Sequence, residues 1–266
     1  MPSVDAAGTE LNYERSGTGE SLLLIQGMSG THLAWGRPFV AALESRFECI
    51  AFDNRGIGGS GRAELPFTIA DLAADTAALL DALGLDRVHV LGISMGGMIA
   101  QELALAHPDR IRTLALGATY CGGSEASLMH PGDVGRLIEA HNSGDPEAVR
   151  RLMWELNLST GFREDDSRYV EFRGMAEQLP APGPVVLEQM RATVGHDTST
   201  RLAGIEAPTL VVHGSLDRII GVDNGRQIAR LMSLEPVILE DVGHMFWWEQ
   251  PQRSASLLCE HALAAA

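Results

Sequence analysis

Apolar positions along the chain follow two rhythms in alternation. Leu22-Leu23-Leu24-Ile25, Cys49 to Phe52, Val88 to Leu91, Thr113 to Leu116 and Leu210-Val211-Val212 are short, largely apolar runs. That is the pattern of strands buried on both faces of a parallel sheet. Thr68 to Leu83 instead repeats at helical spacing. Ile69, Leu72, Ala73, Leu79, Leu80 and Leu83 share one face, with Thr76 the polar member between them. Thr68 and Asp71 read as an N-cap pair and Gly84 as a C-terminal stop. Trp35 to Leu43 and Met98 to Ala106 also read as helices, and the loosely alternating Thr9 to Arg15 as an early strand. Strand and helix in strict alternation predict an α/β fold with a mostly parallel sheet covered on both sides.

The alternation then stops. From Gly122 to about Thr198 only helical pieces occur: Val134 to Ala140, Pro146 to Leu156, Ser167 to Gln178 and Val185 to Val194. They are interrupted by breakers such as Pro180-Ala181-Pro182-Gly183-Pro184. Strand character resumes at Leu210, followed by a helix near Asn224 to Leu231, a strand at Pro236 to Leu239 and a final helix at Pro251 to Ala264. The expected organisation is a core of residues 1–121 and 199–266 with a helical insertion at 122–198.

Composition narrows the chemistry. The chain has 266 residues, 45% hydrophobic and 21% charged, within the range of one α/β domain. A net charge of −15 argues against nucleic acid and anionic membrane surfaces as partners. All 20 basic residues are Arg, which removes Schiff-base, pyridoxal phosphate and P-loop lysine chemistry together. Cys49, Cys121 and Cys259 form no C-x-x-C pair and no disulfide framework. Met1-Pro2-Ser3-Val4-Asp5 has neither a basic nor an apolar signal region, and no run approaches the roughly 18 apolar residues of a membrane span. The expectation is a cytoplasmic protein.

Gly92-Ile93-Ser94-Met95-Gly96 stands between a strand and a helix, the context of a G-x-S-x-G nucleophile elbow. The turn is sharp enough that side chains two residues before and after the serine would collide, so glycine fills both places. A serine nucleophile needs a base in reach and an acid to orient it, and in parallel sheets such groups gather past the carboxyl ends of strands. Asp217 follows the Leu210 strand and His244 the Val237-Ile238-Leu239 strand, giving the order Ser94, Asp217, His244. Rival acids are Asp223, which reads as a helix N-cap, and Asp133 in the insertion. His213 reads as structural and His107 as part of a helix end, while His32, His130, His141 and His196 have no defined role. An oxyanion hole requires two backbone N–H donors, Met95 and one from the Gly27-Met28 loop. Gly56 to Gly61 fits G-x-G-x-x-G, but the last glycine opens no helix and no acid ends a following strand. No metal motif is present, so neither cofactor nor metal is expected.

Taken together, Leu22 to Gly27, Asp53 to Ser60, Gly92 to Gly97 and Gly243-His244 with Glu249 and Pro251 resemble the α/β-hydrolase fold superfamily, in its serine-nucleophile esterase and lactonase branch. The resemblance spans nearly the whole chain. It implies an eight-stranded, mostly parallel sheet with a helical cap between the sixth strand and the next, here 122–198, and Met28 as the second oxyanion donor. One departure stands out: Gln26 occupies a position where the family usually has His. Gln26, Met153, Trp154 and Met245 are candidate pocket residues for a moderately hydrophobic small-molecule substrate. The expected activity is cofactor-independent hydrolysis of a carboxylic ester or lactone through an acyl-enzyme, with homo-oligomer formation left open. Carbon–carbon bond hydrolysis of a vinylogous diketone, perhydrolysis and a ligand-binding receptor with a vestigial triad are the alternatives. Serine rather than aspartate at the elbow argues against the dehalogenase and epoxide hydrolase branches.

Overall fold

The apolar runs become the inner strands of one eight-stranded sheet. In a computed structural model describing residues 2–127, 129–179 and 181–265, the elements run β1 (Ser3–Ala6), β2 (Thr9–Gly17), β3 (Glu20–Ile25), α1 (Arg37–Leu43), β4 (Phe47–Phe52), α2 (Ile69–Ala82), β5 (Val88–Ile93), α3 (Met95–Ala106) and β6 (Ile111–Gly117). Then follow α4 (Pro131–Asn142), α5 (Pro146–Asn157), α6 (Asp166–Ala176) and α7 (Gly183–Val194). The chain closes with β7 (Thr209–Gly214), α8 (Asp223–Leu231), β8 (Val237–Leu239), α9 (Phe246–Glu249) and α10 (Pro251–Ala264). Met1 and Pro180 lie outside the described residues.

Strand order is β1-β2-β4-β3-β5-β6-β7-β8. Only β1 with β2 and β2 with β4 pair antiparallel; every other pair is parallel. Alternate residues of each strand face opposite sides. Leu23, Ile25, Val90, Leu114 and Val211 pack with residues of α2, α3 and α8. Leu22, Leu24, Leu91, Ala115 and Val212 pack with Trp35, α1, Trp247, Trp248 and α10. Continuous hydrophobicity in the strands is therefore the direct signature of a sheet covered twice.

Three elements differ from the sequence expectation. The early strand read at Thr9 to Arg15 is β2, but it is preceded by β1, with which it forms a hairpin turned at Ala7 and Gly8 with φ of 53° and 93°. Two consecutive positive φ values suit a two-residue hairpin turn, but Ala gives no turn signal, so β1 before it goes unmarked. The helix expected from Trp35 starts instead as a 3-10 turn at His32–Trp35 and breaks at Gly36 (φ 72°) before α1. Asp223 is not an N-cap; it occupies the first turn of α8 and pairs with Arg226 at 2.7 Å. By contrast, α2 carries the expected capping box, with Thr68 and Asp71 each satisfying the other's backbone N–H.

The four helices between β6 and β7 pack onto both sides of the core. Trp154, Tyr169 and Phe172 join the cluster of α1 and α10, whereas Val185 and Ala192 of α7 join that of α2 and α3. Trp154 stands at the centre of an aromatic group, 5.9, 5.7 and 5.3 Å from Phe162, Tyr169 and Phe172. Among the described residues no helix is long and apolar enough to cross a membrane.

The return from α7 to β7 buries His196 beside Tyr120, with Glu102 at 3.7 Å. Burial pushes its pKa down to about 4. The folded protein thus binds fewer protons than the unfolded chain between pH 4 and an ordinary His value of about 6.5. Its contribution is present above pH ~6.5 and is lost as pH falls towards 4, a change on the order of 3 kcal/mol. Urea unfolding from pH 7 to 4 is expected to show this loss, and His196→Gln to flatten the slope in that window.

Candidate active site

Ser94 sits in the turn from β5 into α3 with φ 53° and ψ −126°, a backbone state that costs about 1–3 kcal/mol for a residue with a Cβ. Bonds to β6 and the residues just after it hold it there. Its N–H donates to Gly117 O at 2.9 Å, and its carbonyl accepts Thr119 Oγ1 at 2.6 Å. The flanking glycines are required by backbone contact. A Cβ at Gly92 would strike the carbonyl of Gly96, and one at Gly96 would strike that of Ile25 in β3.

The loop after β3 lies against this turn, since a Cβ on Gly27 would come within 2.9 Å of Ser94 Cβ. Gly27 N–H donates to Gln26 Oε1 at 3.1 Å and Ser29 N–H to Gln189 Oε1 at 2.9 Å. Between them, Met28 N–H donates to no protein acceptor among the described residues, and neither does Met95 N–H at the start of α3. Both N–H groups are thus available to an oxygen held at Ser94.

Asp217 and His244 meet. Asp217 Oδ2 accepts from His244 Nδ1 at 2.7 Å, and its Oδ1 accepts the N–H groups of Ile219 and Ile220 at 2.8 and 2.9 Å. Complete burial favours the neutral acid, but the imidazoles of His244 and His213 outweigh it and hold the carboxyl well below the usual range. Strands β5 to β8 are parallel neighbours, so Ser94 after β5, Asp217 after β7 and His244 after β8 all emerge at one edge. Ser94 Oγ and His244 are not hydrogen-bonded to each other.

Two supports were not anticipated from the sequence. His213 Nε2 lies 3.1 Å from Asp217 Oδ2 and 2.7 Å from Ile220 O, so this histidine braces the acid. Its place four residues before Asp217 at the end of β7 was the available signal. Glu249 Oε1 accepts from Gly243 N–H at 2.9 Å and Ser159 N–H at 2.8 Å, while Met245 N–H donates to Asn157 O at 3.0 Å. The residues on either side of His244 are thereby tied to the end of α5.

Elsewhere, Asp133 pairs with Arg218 at 2.6 Å, which leaves it engaged away from His244. His130 caps α4, His107 ends α3, and His141 is exposed. His32 bonds Asp53, which also accepts from Asn12 Nδ2 and Gly59 N–H, each at 2.9 Å. The Gly56 to Gly61 segment is a tight loop around this buried carboxylate, where a Cβ at Gly58 would overlap Asp53 Oδ2. Of the candidate pocket residues, Gln26 is buried beside the elbow, Met245 is buried next to His244, Met153 is half-buried and Trp154 lies in its aromatic group. Among the described residues no three His, Cys, Asp or Glu side chains cluster as metal ligands.

The sequence profile of the alpha/beta hydrolase fold matches residues 20–180. The chain belongs to the α/β-hydrolase family. As a hydrolase it is 31% identical over 226 residues to a putative carbamate hydrolase of Azorhizobium caulinodans, covering 83% of this chain and 82% of the relative. It is 33% identical over 230 residues to a poly(3-hydroxyalkanoate) depolymerase of Ectopseudomonas oleovorans, covering 85% and 78%. In structure it resembles the enol-lactonase of Burkholderia xenovorans LB400, with TM-score 0.83, 26% identity and coverage of 98% and 100%.

Gly96→Ala, which forces a Cβ into the β3 backbone, is expected to lower unfolding free energy by about 3 kcal/mol or more. Gly174 in α6 has open space around it, and Gly174→Ala is expected to raise it by about 0.5–1 kcal/mol. Denaturant titration of the two variants measures both.

Proposed function

We propose that this hydrolase cleaves carboxylic esters or lactones of moderately hydrophobic small molecules through an acyl-enzyme at Ser94. The observation that carries this reading is the 2.7 Å His244–Asp217 pair at the same sheet edge as the strained elbow. With Nδ1 committed to Asp217, His244 keeps Nε2 for the serine, a contact that commonly tightens only when substrate binds.

In the first half-reaction, Ser94 Oγ attacks the carbonyl carbon and passes its proton to His244 Nε2. Asp217, ionised and fully buried, stabilises the resulting imidazolium. The tetrahedral oxyanion accepts the N–H groups of Met28 and Met95. Collapse expels the alkoxide, which takes the proton from His244 and leaves as the alcohol; in a lactone it stays tethered. Water then attacks the acyl-enzyme, giving its proton to His244, which returns it to Ser94 Oγ as the acid is released.

Residues 122–198 act in this reading as a cap over the substrate, and α7 supports it by reaching the oxyanion loop through Gln189. The apolar residues of the cap and of the His244 loop favour uncharged substrates. Gln26, Met153, Trp154 and Met245 are carried as pocket residues, with Gln26 and Met245 the best supported because they adjoin the elbow and the histidine. Unpaired Cys49, Cys121 and Cys259 suit a reducing compartment such as the cytoplasm.

A fluorophosphonate probe is expected to label the wild type and not Ser94→Ala. On a short-chain nitrophenyl ester, Ser94→Ala should lower kcat by about 10⁶ and Asp217→Asn by about 10⁴. Full esterase activity in Ser94→Ala would refute the assignment.

A further inference from the structure

Seven buried side-chain nitrogens and oxygens find no hydrogen-bond partner among the described residues, and four of them lie in or against the loop of residues 26–35. They are Gln26 Nε2, His32 Nε2, Trp35 Nε1 and Gln189 Nε2. Buried polar atoms are nearly always bonded, so such a concentration beside a reactive serine needs an explanation. The two carboxamides are the informative pair, because their orientation is fixed. Gln26 Oε1 accepts Gly27 N–H and Gln189 Oε1 accepts Ser29 N–H. Turning either amide over would set donor against donor, so in each the NH₂ group is the one left as an unpartnered donor.

Gln189 is wholly buried and Gln26 is 3% exposed. Their acceptor oxygens bracket Met28, and Gly27 touches Ser94. Two residues of chain span at most roughly 7 Å, which keeps both amides close to the oxyanion position. We infer that Gln26 and Gln189 form an acceptor-binding subsite for a second, uncharged carbonyl oxygen, separated from the scissile carbonyl by one or two carbons of the acyl chain. The preferred substrates are then 3-oxo or 4-oxo esters and lactones. This rests on the ester-hydrolase reading of Ser94 and gives it a substrate class.

The acceptor is uncharged for electrostatic reasons. The donors are neutral amides, and among the described residues no arginine bonds to the loop. The buried carboxylate of Asp53 already anchors that loop through His32 at 2.9 Å. A substrate carboxylate would be desolvated there without a counter-charge, which is strongly unfavourable, whereas a ketone meets its full hydrogen-bonding need.

The test compares methyl 3-oxobutanoate with methyl butanoate, which lacks only the ketone oxygen. Gln26→Met and Gln189→Met keep side-chain length and remove the donors. Each is expected to lower the ratio of kcat/KM for the oxo ester over the plain ester at least tenfold relative to wild type. Damage to the loop alone would depress both substrates together and leave the ratio unchanged. A ratio within twofold of wild type in both variants would overturn the subsite. Calorimetry on Ser94→Ala separates this from the hydrolase reading: the inactive protein should bind the oxo ester at least tenfold more tightly than the plain one. Equal binding overturns the subsite. Retained preference in a protein whose wild type turns over neither ester supports the subsite and overturns the hydrolase reading. Tighter binding of monomethyl succinate than of the oxo ester overturns the uncharged assignment.

Discussion

The constraint on which the site depends is backbone packed on backbone at the end of β5. Ser94 can hold φ 53° because β3 lies on one side, with Ile25 O where a side chain of residue 96 would be, and β6 on the other, accepting the Ser94 N–H through Gly117. A strained residue persists only where its surroundings over-determine it. Here the surroundings are the two inner strands that neighbour β5, and their own stability comes from being covered on both faces. The half-buried serine is therefore a product of the core, and the glycines around it are where core and site share atoms.

A second tier of contacts carries this order outward to parts that sequence separates widely. The acid is held by the backbone N–H groups of Ile219 and Ile220 and by His213. The loop bearing His244 is held by Glu249, whose carboxylate also grips Ser159 at the end of α5. The loop after β3 is held by Gln189 from α7. The loop bearing His244 and the loop after β3 thus each have a partner in a distant part of the chain, Ser159 and Gln189, both between β6 and β7. The insertion is bonded to the loops at Ser94 and His244 as well as packed over the core.

Much of this was legible in the sequence, for physical reasons that differ by element. Unbroken apolar runs report double-sided burial, so β3 to β7 could be read directly, and the Thr68 capping box reported itself through side-chain chemistry. That Ser94, Asp217 and His244 would gather at one sheet edge was legible because each follows a strand. What could not be read required knowledge of neighbours. Ala7 takes a turn conformation that its type does not advertise. His213 looks like any strand-end histidine until Asp217 folds back against it. Trp154 suggests a pocket by type, while its three aromatic neighbours are brought to it by α6 and the turn before it. Gln26 was visible as a departure from the family's usual His; that its amide nitrogen is left unbonded appears only in three dimensions.

The placement of the insertion between β6 and β7 has a consequence for biosynthesis. The turn at Ser94 and the loop after β3 follow strands made early, whereas Asp217 and His244 follow strands made after the helices between β6 and β7. On the proposed assignment, a nascent chain displays its serine through most of translation without a base to activate it. Reactivity switches on only when the final strand adds to the sheet edge and brings the histidine loop to Glu249. Until that loop is in place the serine is an inert alcohol, so on this reading the order of synthesis itself delays the chemistry.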